Sequence, residues 1–202
     1  MKTISNQALI ALQEGKLEEA ESLYRSILKE QPEHLDANNN LGIILKNDGR
    51  LDEAEARFKR AINIKPDFAE AYNNLGNTIS KLNKIDEALI CYKKAIEIKP
   101  DYNQAHYNLG NALHTLEIID EAEASFKKAI ELKPDYMKAH FNLGVVQSRQ
   151  DRHKEAEISF RKTIELKPDH AEAYNNLGIA LQEQDMFEEA EISFKKAIEI
   201  KP

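Results

Sequence analysis

Tryptophan is missing from this chain, cysteine occurs once, and bases are outnumbered: 28 Lys and Arg stand against 35 Asp and Glu, a formal charge of −7. Each shortage excludes something. Cys91 alone cannot make an internal disulfide, which excludes a disulfide-stapled scaffold and agrees with a reducing, cytoplasmic setting. The acidic balance provides no global positive field to gather phosphates, so nucleic acid is not the expected partner. No apolar run is long enough to span a bilayer, and membrane is not expected either. The longest run near the start, Ala8-Leu9-Ile10-Ala11-Leu12, stops at Gln13-Glu14 and is too short for a signal-peptide core. There is no Gly-Ser or Pro-rich linker, and with 42% hydrophobic residues the chain is neither disordered nor collagenous.

Proline and glycine are scarce, 6 and 7 in 202 residues, but their placement is regular. Pro32, Pro66, Pro100, Pro134, Pro168 and Pro202 recur every 34 residues, and so do Gly42, Gly76, Gly110, Gly144 and Gly178. A fixed period of this size predicts a stacked array of six units, the last two residues short. The units are 1–34, 35–68, 69–102, 103–136, 137–170 and 171–202, together a single array over 1–202.

Within the unit 69–102, Tyr72, Leu75, Gly76 and Ile79 form the apolar stripe of one helix. Ala88, Tyr92, Ala95, Ile96 and Lys99 form the stripe of a second, which Pro100 ends. Gly76 lies inside the first helix, where glycine costs about 1 kcal/mol against alanine, so its recurrence predicts a close approach of the partner helix. Between the helices Gly15, Gly49, Asn83, Asp151 and Asp185 share a register position that suits a left-handed backbone, and Glu117 is the misfit. At the joints, Asp67 with Glu70 and Asp169 with Glu172 match a capping box, and Asp101 with Gln104 is a weaker version. Glu55–Lys59, Glu123–Lys127, Glu157–Arg161 and Glu191–Lys195 are favourable i, i+4 pairs, expected on a solvated outer face with little functional weight.

The pattern Tyr72-x-x-Leu75-Gly76-x-x-Ile79…Ala88-x-x-x-Tyr92-x-x-Ala95…Pro100 resembles the tetratricopeptide repeat across the whole chain. Its alanine recurs at Ala20, Ala54, Ala88, Ala122, Ala156 and Ala190, and an aromatic residue follows four positions later each time. The first unit is degenerate, with Ile4, Gln7, Ala8 and Ala11 in place of the aromatic-Leu-Gly core. The resemblance implies an all-α solenoid, a right-handed superhelix of helix-turn-helix hairpins whose first helices line a concave groove.

If the fourth, seventh, eighth and eleventh residues of a unit are buried, then the second, fifth, sixth, ninth, twelfth and thirteenth face that groove or its shoulders. The sixth is always asparagine: Asn6, Asn40, Asn74, Asn108, Asn142 and Asn176. The fifth supplies Asn39, Asn73 and Asn175, with Tyr107 and Phe141 in the middle units; the ninth supplies Asn77 and Asn111. An amide offers two donors and an acceptor, the complement of a peptide bond, so the row is a candidate site for the backbone of an extended peptide. The -Ala-Tyr-Asn-Asn-Leu-Gly- phrasing is similar to the asparagine ladder of O-linked N-acetylglucosamine transferase. The competing reading is that each amide only bonds the neighbouring hairpin. Tyr107 and Phe141 are expected to be exposed aromatic anchors. The groove bases Lys46, Lys81, Lys138 and Arg149 are scattered, so the carboxylate clamp of some family members is not expected.

Catalytic chemistry is not expected. His106 and His140 take the core aromatic place, His34 and His170 the joint, His114 the groove and His153 a turn, with no metal-ligand spacing among them. Cys91 has no base in register, and no phosphate loop, GxSxG or dinucleotide fingerprint occurs. Neither metal nor cofactor is implied. The leading expectation is a non-catalytic interaction scaffold that holds an extended segment of a partner protein. The alternative is the substrate-recruiting arm of a larger glycosyltransferase or sulfotransferase, because the first unit resembles the opening of bacterial arrays fused to such domains. Self-association through an uncapped last hairpin is a further expectation.

Overall fold

The computed structural model describes residues 2–201. Pro202, expected to end the last helix, lies outside the described residues. The chain falls into two compact units, 1–100 and 101–202. In the first, α1 (Lys2–Gln13), α2 (Leu17–Glu30), α3 (Leu35–Asn47), α4 (Leu51–Ile64), α5 (Ala69–Lys81) and α6 (Ile85–Ile98) form three antiparallel hairpins. In the second, α7 (Asn103–Thr115), α8 (Ile119–Leu132), α9 (Met137–Arg149), α10 (His153–Leu166), α11 (Ala171–Gln182) and α12 (Phe187–Ile200) repeat the arrangement. No strand occurs among the described residues. The fold is an all-α solenoid of hairpins, as the period predicts.

Every hairpin after the first shares one close contact. An added Cβ on Gly42, Gly76, Gly110, Gly144 or Gly178 would come within 2.6–2.7 Å of a ring carbon of Phe58, Tyr92, Phe126, Phe160 or Phe194, respectively. The glycine therefore makes room for a ring of the second helix, a more specific cause than close approach of the helix itself. Ala20, Ala54, Ala88, Ala122 and Ala156, all 0% exposed, let the two helices meet around that ring. The turns follow the sequence reading closely: Gly15 (φ +75°), Gly49 (+80°), Asn83 (+61°), Glu117 (+60°), Asp151 (+57°) and Asp185 (+60°) are all left-handed.

Three expectations are corrected. The first-helix core takes the third, seventh, eighth and tenth residues, with the eleventh, and Tyr72, His106, His140 and Tyr174 at the fourth are only half-buried. A cause shows at His140, whose Nε2 donates to the Pro134 carbonyl at 2.8 Å, so the side chain turns back to the joint. Asn38, the fourth residue of the second unit, is buried, and its Nδ2 likewise donates to the Pro32 and His34 carbonyls, both at 3.0 Å. The aspartate capping boxes do not form. The helices start one residue later than those caps would set, with Phe68, Tyr102 and His170 at the N-cap and no side-chain cap at the first two. The histidines take that role: Ala37 N–H donates to His34 Nδ1 and Ala173 N–H to His170 Nδ1, both at 3.2 Å. Finally, the i, i+4 pairs form, but their acids also tie hairpins together. Glu123, only 8% exposed, meets Lys127 at 2.7 Å and Arg152 of the following hairpin at 2.6 Å.

Candidate functional site

The sixth-residue asparagines of α3, α5, α7, α9 and α11 lie half-buried on the first-helix face. In the first unit Asn40 Nδ2 donates to Tyr24 Oη at 3.0 Å, Asn39 Nδ2 to Asn40 Oδ1 and Asn74 Nδ2 to Asn39 Oδ1 over long bonds of 3.4 Å. Tyr92 Oη donates to Asn77 Oδ1 at 2.9 Å. In the second unit Asn142 Nδ2 donates to Asn111 Oδ1 at 2.7 Å and to Tyr107 Oη at 3.3 Å. The row is thus partly stitched from hairpin to hairpin, a bonding pattern that single-repeat spacing does not reveal.

The stitching leaves capacity. Asn77 and Asn111 accept through their carbonyl oxygens and keep both N–H groups, and Asn142 keeps its acceptor. Asn176 differs because the fifth and ninth residues of the preceding repeat, Phe141 and Val145, are apolar. Its half-buried amide makes no hydrogen bond among the described residues. Asn175 is exposed beside it, and both line an open cleft of about 590 Å³ with Phe141 and Phe194.

The fifth position departs most from expectation. Asn73 is buried, 5% exposed, and presents little to a surface ligand. Tyr107 and Phe141 are half-buried rather than exposed. Tyr107 stacks on Tyr136 (ring centroids 5.0 Å apart) and Phe126 (5.9 Å); Phe141 stacks on His170 (4.9 Å) and Phe160 (6.0 Å). The rings fill the joint because the residue opposite is itself a ring, a pairing across some 30 residues that the spacing does not display.

Below the row lie the last turns of the first helices. Burial, and then the neighbouring Lys81, push the Lys46 ammonium below its usual range. His114 is half-buried; burial, then the Arg149 cation, lower its tendency to take a proton. Arg149 donates to His114 Nε2 at 3.1 Å and to Glu117 at 2.6 Å, so the imidazole accepts as the neutral tautomer. Cys91 is buried, its thiol pushed up to about 11 first by desolvation, and so is protonated near neutrality. No group of three His, Cys, Asp or Glu side chains converges to hold a metal among the described residues. No helix of the described residues is long and apolar enough to cross a membrane.

Known proteins bear on this geometry. Family models described as tetratricopeptide repeat match residues 11–77, 104–136, 125–158 and 171–202, and one described as TPR repeat matches 80–117. No curated protein matches. Among solved structures, the crystal structure of MamA is 28% identical with a TM-score of 0.75, covering 80% of this chain and 94% of that one. MamA 41-end from Desulfovibrio magneticus is 26% identical with a TM-score of 0.74, covering 84% and 96%. YrrB, described as a TPR protein with an unusual peptide-binding site, is 26% identical with a TM-score of 0.75, covering 89% and 92%. Repeat after repeat, the glycine-on-ring hairpin, the buried alanine and the matched models place this chain in the tetratricopeptide repeat family.

Proposed function

We propose that the chain is a non-catalytic protein-interaction scaffold whose first-helix faces hold an extended segment of a partner protein by its backbone. The observation that carries this is the spare hydrogen-bonding capacity of the amide row, above all the unbonded Asn176. Because Asn176 is only half-buried, water satisfies its amide in the free chain, and a peptide backbone can take that water's place. The peptide-binding site named for YrrB supports the same use of this architecture. Each amide–peptide bond contributes roughly 0.5–1.5 kcal/mol net. A few of them in each unit, less the ordering of the peptide, give affinity of about micromolar order. The sites proposed are Asn39, Asn40, Asn74 and Asn77 in the first unit and Asn108, Asn111, Asn142, Asn175 and Asn176 in the second. Tyr107 and Phe141 set the groove wall.

The test is capture from a peptide library by the double variant Asn74→Ala, Asn108→Ala and by Asn176→Ala alone. Asn176→Ala removes no hydrogen bond within the chain, so its stability should match the parent's to within about 0.5 kcal/mol. Its capture should fall about two- to tenfold. Unchanged capture by both variants would overturn the reading.

A further inference from the structure

We infer that a cleft of the first unit, between α1, α2 and the start of α3, is a receptor for a tyrosine side chain of a partner protein. The cleft measures about 310 Å³ and is lined by Ser5, Ile27, Glu30, Gln31, His34 and Asp36, among others. That is ample for one aromatic ring, since a cavity of about 150 Å³ already holds benzene. Asn6, the first asparagine of the row, lines it, but none of the asparagines assigned above to the peptide site does.

The chain itself shows what fits there. Ser5 occupies the register position of Tyr107 and Phe141, and His34 that of Tyr136 and His170. In the second unit those places are filled by ring pairs, Tyr107 on Tyr136 and Phe141 on His170, with centroids 5.0 and 4.9 Å apart. His34 and His170 are held by the same cap, each accepting an N–H at Nδ1 over 3.2 Å. The cap fixes the His34 ring as it fixes that of His170, but Ser5 is too small to cover it. A stacking surface is therefore built and left open.

The walls choose among rings. Where the other hairpins carry Ile64, Ile98, Leu132, Leu166 and Ile200, this one carries Glu30, and Asp36 also lines the cleft. Neither acid has a basic partner among the described side chains, those of residues 4–201. A plain phenyl ring would bring no donor to these carboxylates, whereas a phenol donates to one of them in a charge-assisted bond. His34 Nε2, which carries the proton when Nδ1 accepts, offers a donor in return.

The experiment is a titration of the full chain with N-acetyl-tyrosinamide and N-acetyl-phenylalaninamide, followed by backbone amide NMR shifts. Saturable shifts at Ile27, Gln31 and His34 are expected with the tyrosine amide, which should bind about three- to tenfold better than the phenylalanine amide. Ser5→Phe should abolish both titrations and raise the melting temperature, its own ring taking the place. Glu30→Leu, which restores the side-chain type of the other hairpins, should erase the preference for tyrosine and covers the case in which Ser5→Phe folds poorly. Absence of saturable shifts at the cleft, or equal binding of the two amides by the parent chain, would overturn the inference. The Asn74→Ala, Asn108→Ala variant should bind the tyrosine amide normally, which separates this outcome from that of the groove.

Discussion

Glu117 has a left-handed backbone, φ +60°, where its counterparts are glycine, asparagine or aspartate. A long side chain in that region costs on the order of 1–2 kcal/mol, less for Asn, whose short amide bonds locally. The Glu117–Arg149 contact, with both side chains well exposed, returns little of this. Glu117→Asn should therefore stabilise the chain by about 0.5–1 kcal/mol, read as a melting temperature higher by about 1–4 °C. A decrease would show that the ion pair with Arg149 outweighs the backbone strain. The position was legible in the sequence because a backbone demand acts on one residue at a time and shows up as a recurring residue type. The environment of Phe141 was not legible. Its burial depends on His170, and no rule of helix periodicity links a fifth residue to the N-cap of the next hairpin.

At the scale of the hairpin, the glycine-on-ring contact and the interhairpin ion pairs make separable predictions. In Gly110→Ala the new methyl would sit 2.7 Å from Cε1 of Phe126, a ring with 0% exposure and nowhere to move. Overpacking of about 1–3 kcal/mol should exceed the roughly 1 kcal/mol that alanine gains in helix propensity, so the urea midpoint should fall. Phe126→Leu in the same chain should recover part of the loss. Additivity in this double-mutant cycle would refute the contact. The first hairpin already carries Ala8 at this place, which agrees with its degenerate sequence. Arg152→Met should also lower the midpoint, because Glu123 is buried and keeps only Lys127. Pairing it with Glu123→Leu should restore most of the stability, since apolar replacements of a buried pair are close to neutral. Period and stripe reveal which helices form and that each glycine marks a close approach, but not that a ring of the second helix fills it. They are silent about Arg152, whose partner lies 29 residues back in another hairpin.

Over the whole molecule, the charge pattern sets two separate acid responses. Arg50, then Arg25, hold Glu53 down at about 2, and Arg152 lowers Glu123 and Glu155. At Glu21 burial pushes upward, but the hydrogen bonds from Arg25 and Arg50 prevail and the carboxyl is lowered. These acids bind protons more weakly in the folded chain than in the unfolded one. Their contribution is complete above the usual carboxylate value of 4.5 and is lost as pH falls from there toward 2. His114 acts at higher pH, though also in the direction of acid loss. Burial and Arg149 place its folded value below the usual 6.5, so the unfolded chain takes up a proton first and stability falls as pH drops through 6.5. The groups facing His114 are Arg149, which would be repelled by an imidazolium, and Glu117, which would attract it; Arg149 has the larger effect. The melting temperature should thus decline in two stages, gently below pH 6.5 and steeply below pH 4.5. His114→Gln retains an acceptor for Arg149 but cannot titrate. It should flatten the first stage and leave the second in place, and a profile identical to the parent's between pH 6.5 and 5 would remove His114 from this account.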